Sequence, residues 1–261
     1  MGRPEDIEHI RGALKAAGEL LLRMSVEGEQ HGHSFERKAD GQPVTMADTD
    51  ADDLLRELLP RPGEGWLSEE SIDDRRRLSC ERVWVVDPLD GTKEYLRNLP
   101  EWAISIALVE NGEPIAGGIH NPRTGELFVG ALGIGCFLDE TACSISDRPS
   151  LDGATAVASR SEIRRGEWSP FDHGRFEIRP TGSVAYKIGL VACGLADFTW
   201  TLMPKSEWDV AAGVALIHAA GGVAWRPDDK PLRFNQRDTR IPGLIACPRQ
   251  LEPDIRHLLA R

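Results

Sequence analysis

Cysteine is scarce in this 261-residue chain: there are five, an odd number, and none stands in a CxxC pair. A disulfide framework or a zinc ribbon is therefore not expected, and a reducing, cytoplasmic setting fits best. Long apolar runs are missing as well. The longest weakly polar stretch, Ala211 to Trp225, carries His218 and three glycines, and it is too short to span a bilayer. The opening residues, MGRPEDIEH, are acidic and hold no apolar segment of the kind a secretory signal needs. Positive charge is also in deficit, with 31 basic residues against 42 acidic ones and a net charge of −11. That excludes a broad electrostatic footprint for a nucleic-acid polymer. It would also repel an anionic substrate, unless a bound cation reverses the local sign.

What is present is ordinary for a globular protein: 41% apolar and 28% charged residues. The length gives a prior of one large domain or two small ones, at roughly 150 residues each. Ile7, Ile10, Leu14, Ala17, Leu21 and Met24 recur at helical spacing, which predicts an amphipathic helix over about residues 5–27. The polar stretch Gly28 to Gly41 reads as a loop. A second helix should start near Thr45, carry Leu54, Leu55, Leu58 and Leu59 on one side, and end at Pro60 and Pro62. Arg82 to Val86 reads as a short buried strand broken at once by Asp87-Pro88. Trp102–Val109 and Pro114–His120 flank Asn111-Gly112, a hairpin signal. Glu126–Gly130 and Gly135–Asp139 extend the antiparallel pattern. Beyond the Asp, Pro, Ser and Gly cluster at Ser146–Gly153, strands alternate with helices: Ala154–Ser159, Ser183–Cys193, Ala196–Trp200, Ser206–Ala220, Val223–Trp225, Ile241–Cys247 and Leu251–Ala260. The layout is an α+β half over residues 1–148 followed by an α/β half over 149–261.

The densest chemistry lies in Trp84-Val-Val-Asp-Pro-Leu-Asp-Gly-Thr92. An apolar strand delivers Asp87 and Asp90 where the chain turns. Pro88 fixes φ, and Gly91 permits a tight backbone close to a ligand. Both carboxylates and the Leu89 carbonyl can face one point, and hard divalent cations take such oxygens. An Asx turn that merely closes a strand reads the same way. Three further acidic spots could join: Glu69 and Glu70 in Leu67-Ser-Glu-Glu-Ser71, Asp48 in Thr45-Met-Ala-Asp48, and Asp209 in Ser206-Glu-Trp-Asp209. The first is also an ordinary solvated loop. The last two also fit capping boxes with Asp in place of Glu. Asp48-Thr-Asp-Ala-Asp52 is no calcium-sensor loop, since Asp53 and Leu59 stand where Gly and Glu are required. Asp87 and Asp90 are separated by two residues rather than one, which disfavours a phosphorylated aspartate with an adjacent acid. His120 and His218 read as packing histidines, and Arg75-Arg-Arg77 reads as a solvated loop.

Together, Val44-Thr-Met-Ala-Asp48, Ser68-Glu-Glu-Ser71, Trp84 to Thr92, Gly182-Ser183 and Trp208-Asp-Val-Ala-Ala-Gly213 resemble, in order, the motifs of the inositol monophosphatase family of metal-dependent, lithium-sensitive phosphatases. The resemblance spans nearly the whole chain. It implies a layered αβαβα sandwich with the site between its halves, and two or three Mg²⁺ ions per site. It implies that Glu69, Asp87 and the Leu89 carbonyl hold one metal, and that Asp87, Asp90 and Asp209 hold a second. Asp48 and Thr92 would orient and deprotonate the attacking water, with the Gly91 and Thr92 amides on the phosphate. Five or six converging carboxylates without metal would repel one another and the substrate, so metal dependence is expected to be absolute.

Asp90-Gly-Thr-Lys-Glu-Tyr95, Gly182-Ser-Val-Ala-Tyr-Lys187 and Pro231-Leu-Arg-Phe-Asn235 look most like the CysQ branch, which acts on 3′-phosphoadenosine 5′-phosphate. Ser183 belongs to the expected substrate contacts. Lys93, Lys187 and Arg233 are the candidates for a second phosphate, and each would otherwise be solvated surface. Thr201-Leu202 stands where inositol phosphatases carry a glutamate, which disfavours inositol. The resemblance thus implies a Mg²⁺-dependent phosphomonoesterase, monomeric or homodimeric, releasing AMP and phosphate from a small-molecule substrate. An inositol-1-phosphate or broad sugar-phosphate phosphatase is the alternative, and a non-catalytic metal-binding scaffold the reading from a different class.

Overall fold

The computed structural model describes residues 1–31, 35–37 and 43–260. Helix α1 (Pro4–His31) buries Ile7, Ile10, Leu14, Ala17 and Leu21. It runs to His31, past the expected end near residue 27; the rest of the expected Gly28–Gly41 loop falls partly outside the described residues. Strands β1 (Phe35–Arg37) and β2 (Pro43–Thr45) pair antiparallel and lead into α2 (Met46–Leu58). The buried face of α2 is Ala47, Asp48, Ala51, Asp52 and Leu55. Leu58, expected on that side, is exposed, because a turn of 3.6 residues rotates it away from Leu55.

Strands β3 (Gly65–Ser68), β4 (Arg82–Asp90), β5 (Ala103–Glu110), β6 (Glu113–Asn121), β7 (Glu126–Ala131), β8 (Gly135–Leu138) and β9 (Thr141–Cys143) form one sheet in that order. Only β3 and β4 run parallel. A 3-10 turn at Arg76–Ser79 precedes β4, and the one-turn helix α3 (Thr92–Tyr95) follows it. Both sheet faces are covered, so its central strands are apolar throughout. Val83 and Val85 enter one core while Trp84 and Val86 enter the other, the two-residue period of a strand. The strand does not stop at Asp87: β4 continues through Pro88 to Asp90 with a register shift against β5. Asn111 and Gly112 both have positive φ, 53° and 81°, and join β5 to β6 in the turn their dipeptide predicts.

The second half contains β10 (Ala154–Ser159), α4 (Arg160–Arg164), a 3-10 turn at Ser169–Phe171, β11 (Phe176–Thr181), α5 (Val184–Ala192), β12 (Thr199–Thr201), β13 (Lys205–Ser206) and α6 (Glu207–Ala219). It ends with β14 (Val223–Trp225), β15 (Arg240–Ile241), β16 (Leu244–Cys247) and α7 (Glu252–Leu259). Ile241–Cys247, expected as one strand, is split between β15 and β16, which pair with different partners. β10 pairs parallel with β11, and an Ala156–Phe198 bridge ties this pair towards the β12-β16-β14 sheet. β3 and β11 were not legible in the sequence: each is short, and each is recruited by a parallel neighbour.

The layers follow from the cores. Helices α1 and α2 cover one face of the large sheet. Helices α5 and α6 cover the other, in a core that also holds Val157, Leu244 and Ala246 of the second half. α7 closes the far side with Leu251, Ile255 and Leu258 against Ala156, Phe198 and Ile245. The result is the αβαβα sandwich. No helix among the described residues is long and apolar enough to cross a membrane.

The middle layer is tight. A Cβ on Gly213 of α6 would lie 2.5 Å from the Ile188 Cγ2 of α5. Gly213→Val should therefore cost roughly 1–3 kcal/mol or more through overpacking. Urea unfolding would show it as a lower midpoint with an unchanged slope, and an unchanged midpoint would mean the two helices are less closely seated than this.

Candidate active site

Asp48 sits in the first turn of α2, 1% exposed, and its position is set by a helix cap. Its Oδ2 accepts from the Thr45 N–H and the Thr45 hydroxyl, both at 2.7 Å. That leaves Oδ1 to accept from the Thr92 hydroxyl at 2.9 Å. Thr92 also lies 3.3 Å from the Leu89 carbonyl. The capping reading and the site reading of Asp48 are both true, each using one oxygen.

Asp209 repeats the device on α6. Its Oδ2 accepts from the Ser206 N–H at 2.7 Å in a capping box. Asp87, 2% exposed, accepts from the Leu89 N–H at 3.0 Å. Asp90 is gripped from the second half: its Oδ2 accepts from the Ser183 hydroxyl at 2.6 Å and the Ala185 N–H at 2.7 Å. Gly91, at φ 104°, turns the backbone from β4 into α3. Glu69 rides on the loop after β3. That loop is anchored by Asp52, a buried carboxylate that accepts from the hydroxyls of both Ser68 and Ser71. Asp52 was read only as part of a discarded calcium motif. Its side chain faces the loop because it lies one helical turn beyond Asp48.

Among the described residues, Glu69, Asp87 and Asp209 bring carboxylate oxygens within 4.8 Å of one another. The crowding is visible in the acidity of Asp87 and Asp209. Burial, then Glu69, Asp90 and Asp209, push the Asp87 carboxyl well above its ordinary range. Burial, then Asp90 and Glu69, raise Asp209 to about 7. Three converging hard oxygen donors, two of them on carboxyls that resist ionisation, are a fitting set for Mg²⁺, whose charge would remove the repulsion.

These groups open into a cavity of about 770 Å³ between the two halves. Leu89, Asp90, Gly91, Thr92, Lys93, Ser183 and Lys187 line it with Glu69 and Asp209. Arg233 does not: it pairs with Glu113, because the Asn235 and Gln236 N–H groups dock this segment on Glu207 at 2.6 and 2.8 Å. Lys187 is buried, and its ammonium donates to the Ser183 carbonyl at 2.7 Å. Burial lowers it to about 8. Arg77 is also buried rather than solvated, held by Asp73 at 2.9 and 3.0 Å and by Asn235 at 2.7 Å.

Arg97, Arg160, Arg164, Lys205 and Arg240 line the cavity too, and sequence reasoning missed all of them. Basic residues outnumber acidic ones on this wall, although the whole chain carries a net charge of −11. Arg160 is held across the halves by Glu101 through two contacts of 2.6 Å. No motif in the sequence announces these cations: Arg160 and Arg164 lie one turn apart on α4, and Arg97, Lys205 and Arg240 come from three other segments.

A layered sandwich with clustered carboxylates under a basic wall defines a class of hydrolase that works on phosphate esters through bound cations. The chain belongs to the inositol monophosphatase family, whose model matches residues 4–259. It is 33% identical over 230 residues to an inositol-1-monophosphatase of Rhizobium meliloti, covering 83% of this chain and 82% of that one. It is equally 33% identical over 245 residues to a 3′-phosphoadenosine 5′-phosphate phosphatase of Mycobacterium bovis, covering 91% and 86%. The extragenic suppressor protein SuhB of Bartonella henselae superposes with a TM-score of 0.83 at 28% identity, covering 98% of this chain and 99% of that one.

Two predictions follow from this geometry. Asp52→Ala leaves two buried or half-buried hydroxyls without their acceptor and should cost about 1–3 kcal/mol in urea unfolding; an unchanged midpoint would show that the Glu69 loop is held by other contacts. Because Asp209 is raised above its unfolded value, the metal-free fold gains from its bound proton at low pH and loses that gain as pH rises through about 7. Mg²⁺ added to chelator-treated protein should therefore raise Tm more at pH 8 than at pH 5.5, by at least about 2 °C. An equal shift at both pH values would contradict the assignment of these carboxyls to the cation.

Proposed function

We propose that the chain is a Mg²⁺-dependent phosphomonoesterase that hydrolyses the 3′-phosphate of 3′-phosphoadenosine 5′-phosphate, giving AMP and phosphate. The observation that carries the substrate is the basic wall of the cavity. A monophosphate needs cations only at the reacting group, and the carboxylate floor would supply those through metal. A bisphosphate needs more positive charge a few ångströms away, and Arg160, Arg164, Lys205 and Arg240 offer it. The cavity volume suits a nucleotide-sized ligand. Thr201 is turned away to donate to Glu162 at 2.6 Å, and Leu202 adds no acceptor for inositol hydroxyls.

Glu69, Asp87, Asp90, Asp209 and the Leu89 carbonyl would hold the cations. Bound Mg²⁺ supplies charge neutralisation and Lewis acidity at the phosphoryl oxygens. The chain's own contribution is proton handling and positioning. Asp48 is locked by Thr45 through one oxygen, so its other oxygen faces the Thr92 hydroxyl. Thr92 donates its proton to Asp48 and is left with lone pairs to accept one from the attacking water. Water attacks phosphorus directly, and no covalent intermediate on the protein is needed. The backbone at Gly91 and Thr92 opens a helical turn whose first N–H groups have no intrahelical acceptor and suit a phosphate oxygen. Lys93 and Ser183 flank the phosphate, and Lys187 holds the Ser183 backbone.

The test is Mg²⁺-dependent phosphate release from 3′-phosphoadenosine 5′-phosphate and from inositol-1-phosphate, compared as kcat/KM. A preference of about 100-fold for the nucleotide, roughly 2.7 kcal/mol, is expected. A preference for inositol phosphate would overturn the substrate and leave the carboxylate centre standing. Asp90→Asn should lower kcat by about 100- to 1,000-fold on either substrate. Near wild-type turnover would sink the two-metal reading.

A further inference from the structure

Three sulfurs meet at the end of α5 remote from Ser183. Cys136 of β8 and Cys143 of β9 are directly opposite in register. Cys193 caps the C-terminus of α5. Cys143 and Cys193, 50 residues apart, are joined as a single disulfide with Cα atoms 5.1 Å apart, in a chain expected to have no disulfide framework and to sit in a reducing setting. The fold alone pairs them, by laying a helix end on a sheet edge. Cys136 is not part of that bond, yet its sulfur lies 3.6 Å from the Cys193 sulfur. All three sulfur atoms fall within 4.8 Å of one another. Cys136 and Cys193 are buried, whereas Cys143 is half-buried on a three-residue edge strand. Cys143 and Cys193 also border an open groove of about 640 Å³ lined by Ser144, Ser146 and Gly194.

We propose that, once the disulfide is reduced, Cys136, Cys143 and Cys193 form a trithiolate site for one thiophilic divalent cation of the Zn²⁺ type. A dithiol reductant breaks the Cys143–Cys193 bond, gives each sulfur a hydrogen, and leaves as its own disulfide. The cation then displaces one proton from each of the three thiols. Tetrahedral Zn–S bonds of about 2.3 Å place sulfurs roughly 3.8 Å apart. The Cys136–Cys193 pair already has close to that spacing, so Cys143, on its short edge strand, is the ligand that moves. The groove leaves the fourth position to water. A divalent ion fits for two reasons: three thiolates carry three negative charges, and the C-terminal end of α5 adds partial negative charge. Burial pushes the Cys136 thiol up to about 12 and the Phe137 N–H opposes that only in part, so the cation itself must displace this proton. Sulfur ligands favour soft ions and the carboxylate floor favours hard ones, so the two centres select different metals. The disulfide and the metal are mutually exclusive occupants of the same sulfurs.

The test uses the full chain, reduced, desalted and kept in excess Mg²⁺, titrated with Cd²⁺ as the probe. A thiolate-to-metal charge-transfer band saturating at one equivalent is expected. It should be absent from the unreduced chain, weakened by about a third or more in Cys136→Ser, and retained in Cys80→Ser and Cys247→Ser. Carboxylate-bound Cd²⁺ gives no such band. Absence of the band in the reduced wild-type chain, or its full retention in Cys136→Ser, would overturn the site. Should Cys136→Ser unfold, the wild-type chain decides: Zn²⁺ should slow alkylation of Cys143 and Cys193 at least about tenfold while leaving Cys80 unaffected, and equal rates would overturn the proposal.

Discussion

Mutual repulsion among crowded carboxylates is the constraint on which this molecule is built. Glu69, Asp87 and Asp209 converge within 4.8 Å, with Asp90 close enough to raise two of them. Charges taken from water into such a place are costly unless paired. The fold answers with N–H and hydroxyl donors at Asp48, Asp87, Asp90 and Asp209. Helix caps hold Asp48 and Asp209, the Leu89 N–H holds Asp87, and the first turn of α5 holds Asp90. These donors do not neutralise the cluster. They fix its geometry and leave a residual repulsion that the proposed cation would relieve.

The helix caps deserve comparison with one another. Thr45–Asp48 and Ser206–Asp209 are built alike, and each spends one carboxylate oxygen on a helix N-terminus. The other oxygen is thereby aimed. A glutamate in the same position would cap equally well, but with a longer side chain and another rotatable bond to fix. The site thus borrows its precision from secondary structure that would form in any case. Asp90 differs: its donors come from Ser183 and Ala185, in the other half of the chain, so that carboxylate also registers how the halves meet. The Arg160–Glu101 pair makes the same connection on the rim of the cavity.

Charge on this protein is distributed against its own average. A chain of net charge −11 presents a wall of arginine and lysine to the cavity, facing an acidic floor. The floor draws cations, the wall draws anions, and an ester with phosphate at both ends would meet both. The sulfur cluster lies apart from this arrangement, at the other end of α5, where the ligands are soft rather than hard.

Local chemistry was legible in the sequence. Asn111-Gly112 has one low-strain way to join two strands, and Ser or Thr three residues before Asp has one way to begin a helix, so the hairpin and both caps could be read directly. The family motifs carried the layered fold and the acidic residues of the floor. Elements that depend on a neighbour were not legible: β3 and β11 exist because a parallel strand accepts them, and the run through Asp87-Pro88 stays in the sheet because β5 continues to pair beyond the bulge. Arg233, next to a matching motif, is drawn off by Glu113, while Arg160, Arg164 and Lys205, in no motif at all, reach the cavity. The sequence by itself determined which short segments bear carboxylates and how each is capped, because those contacts span only a few residues. Tertiary structure decided which carboxylates meet, which cations face them, and which cysteines touch, because those distances depend on how five layers stack.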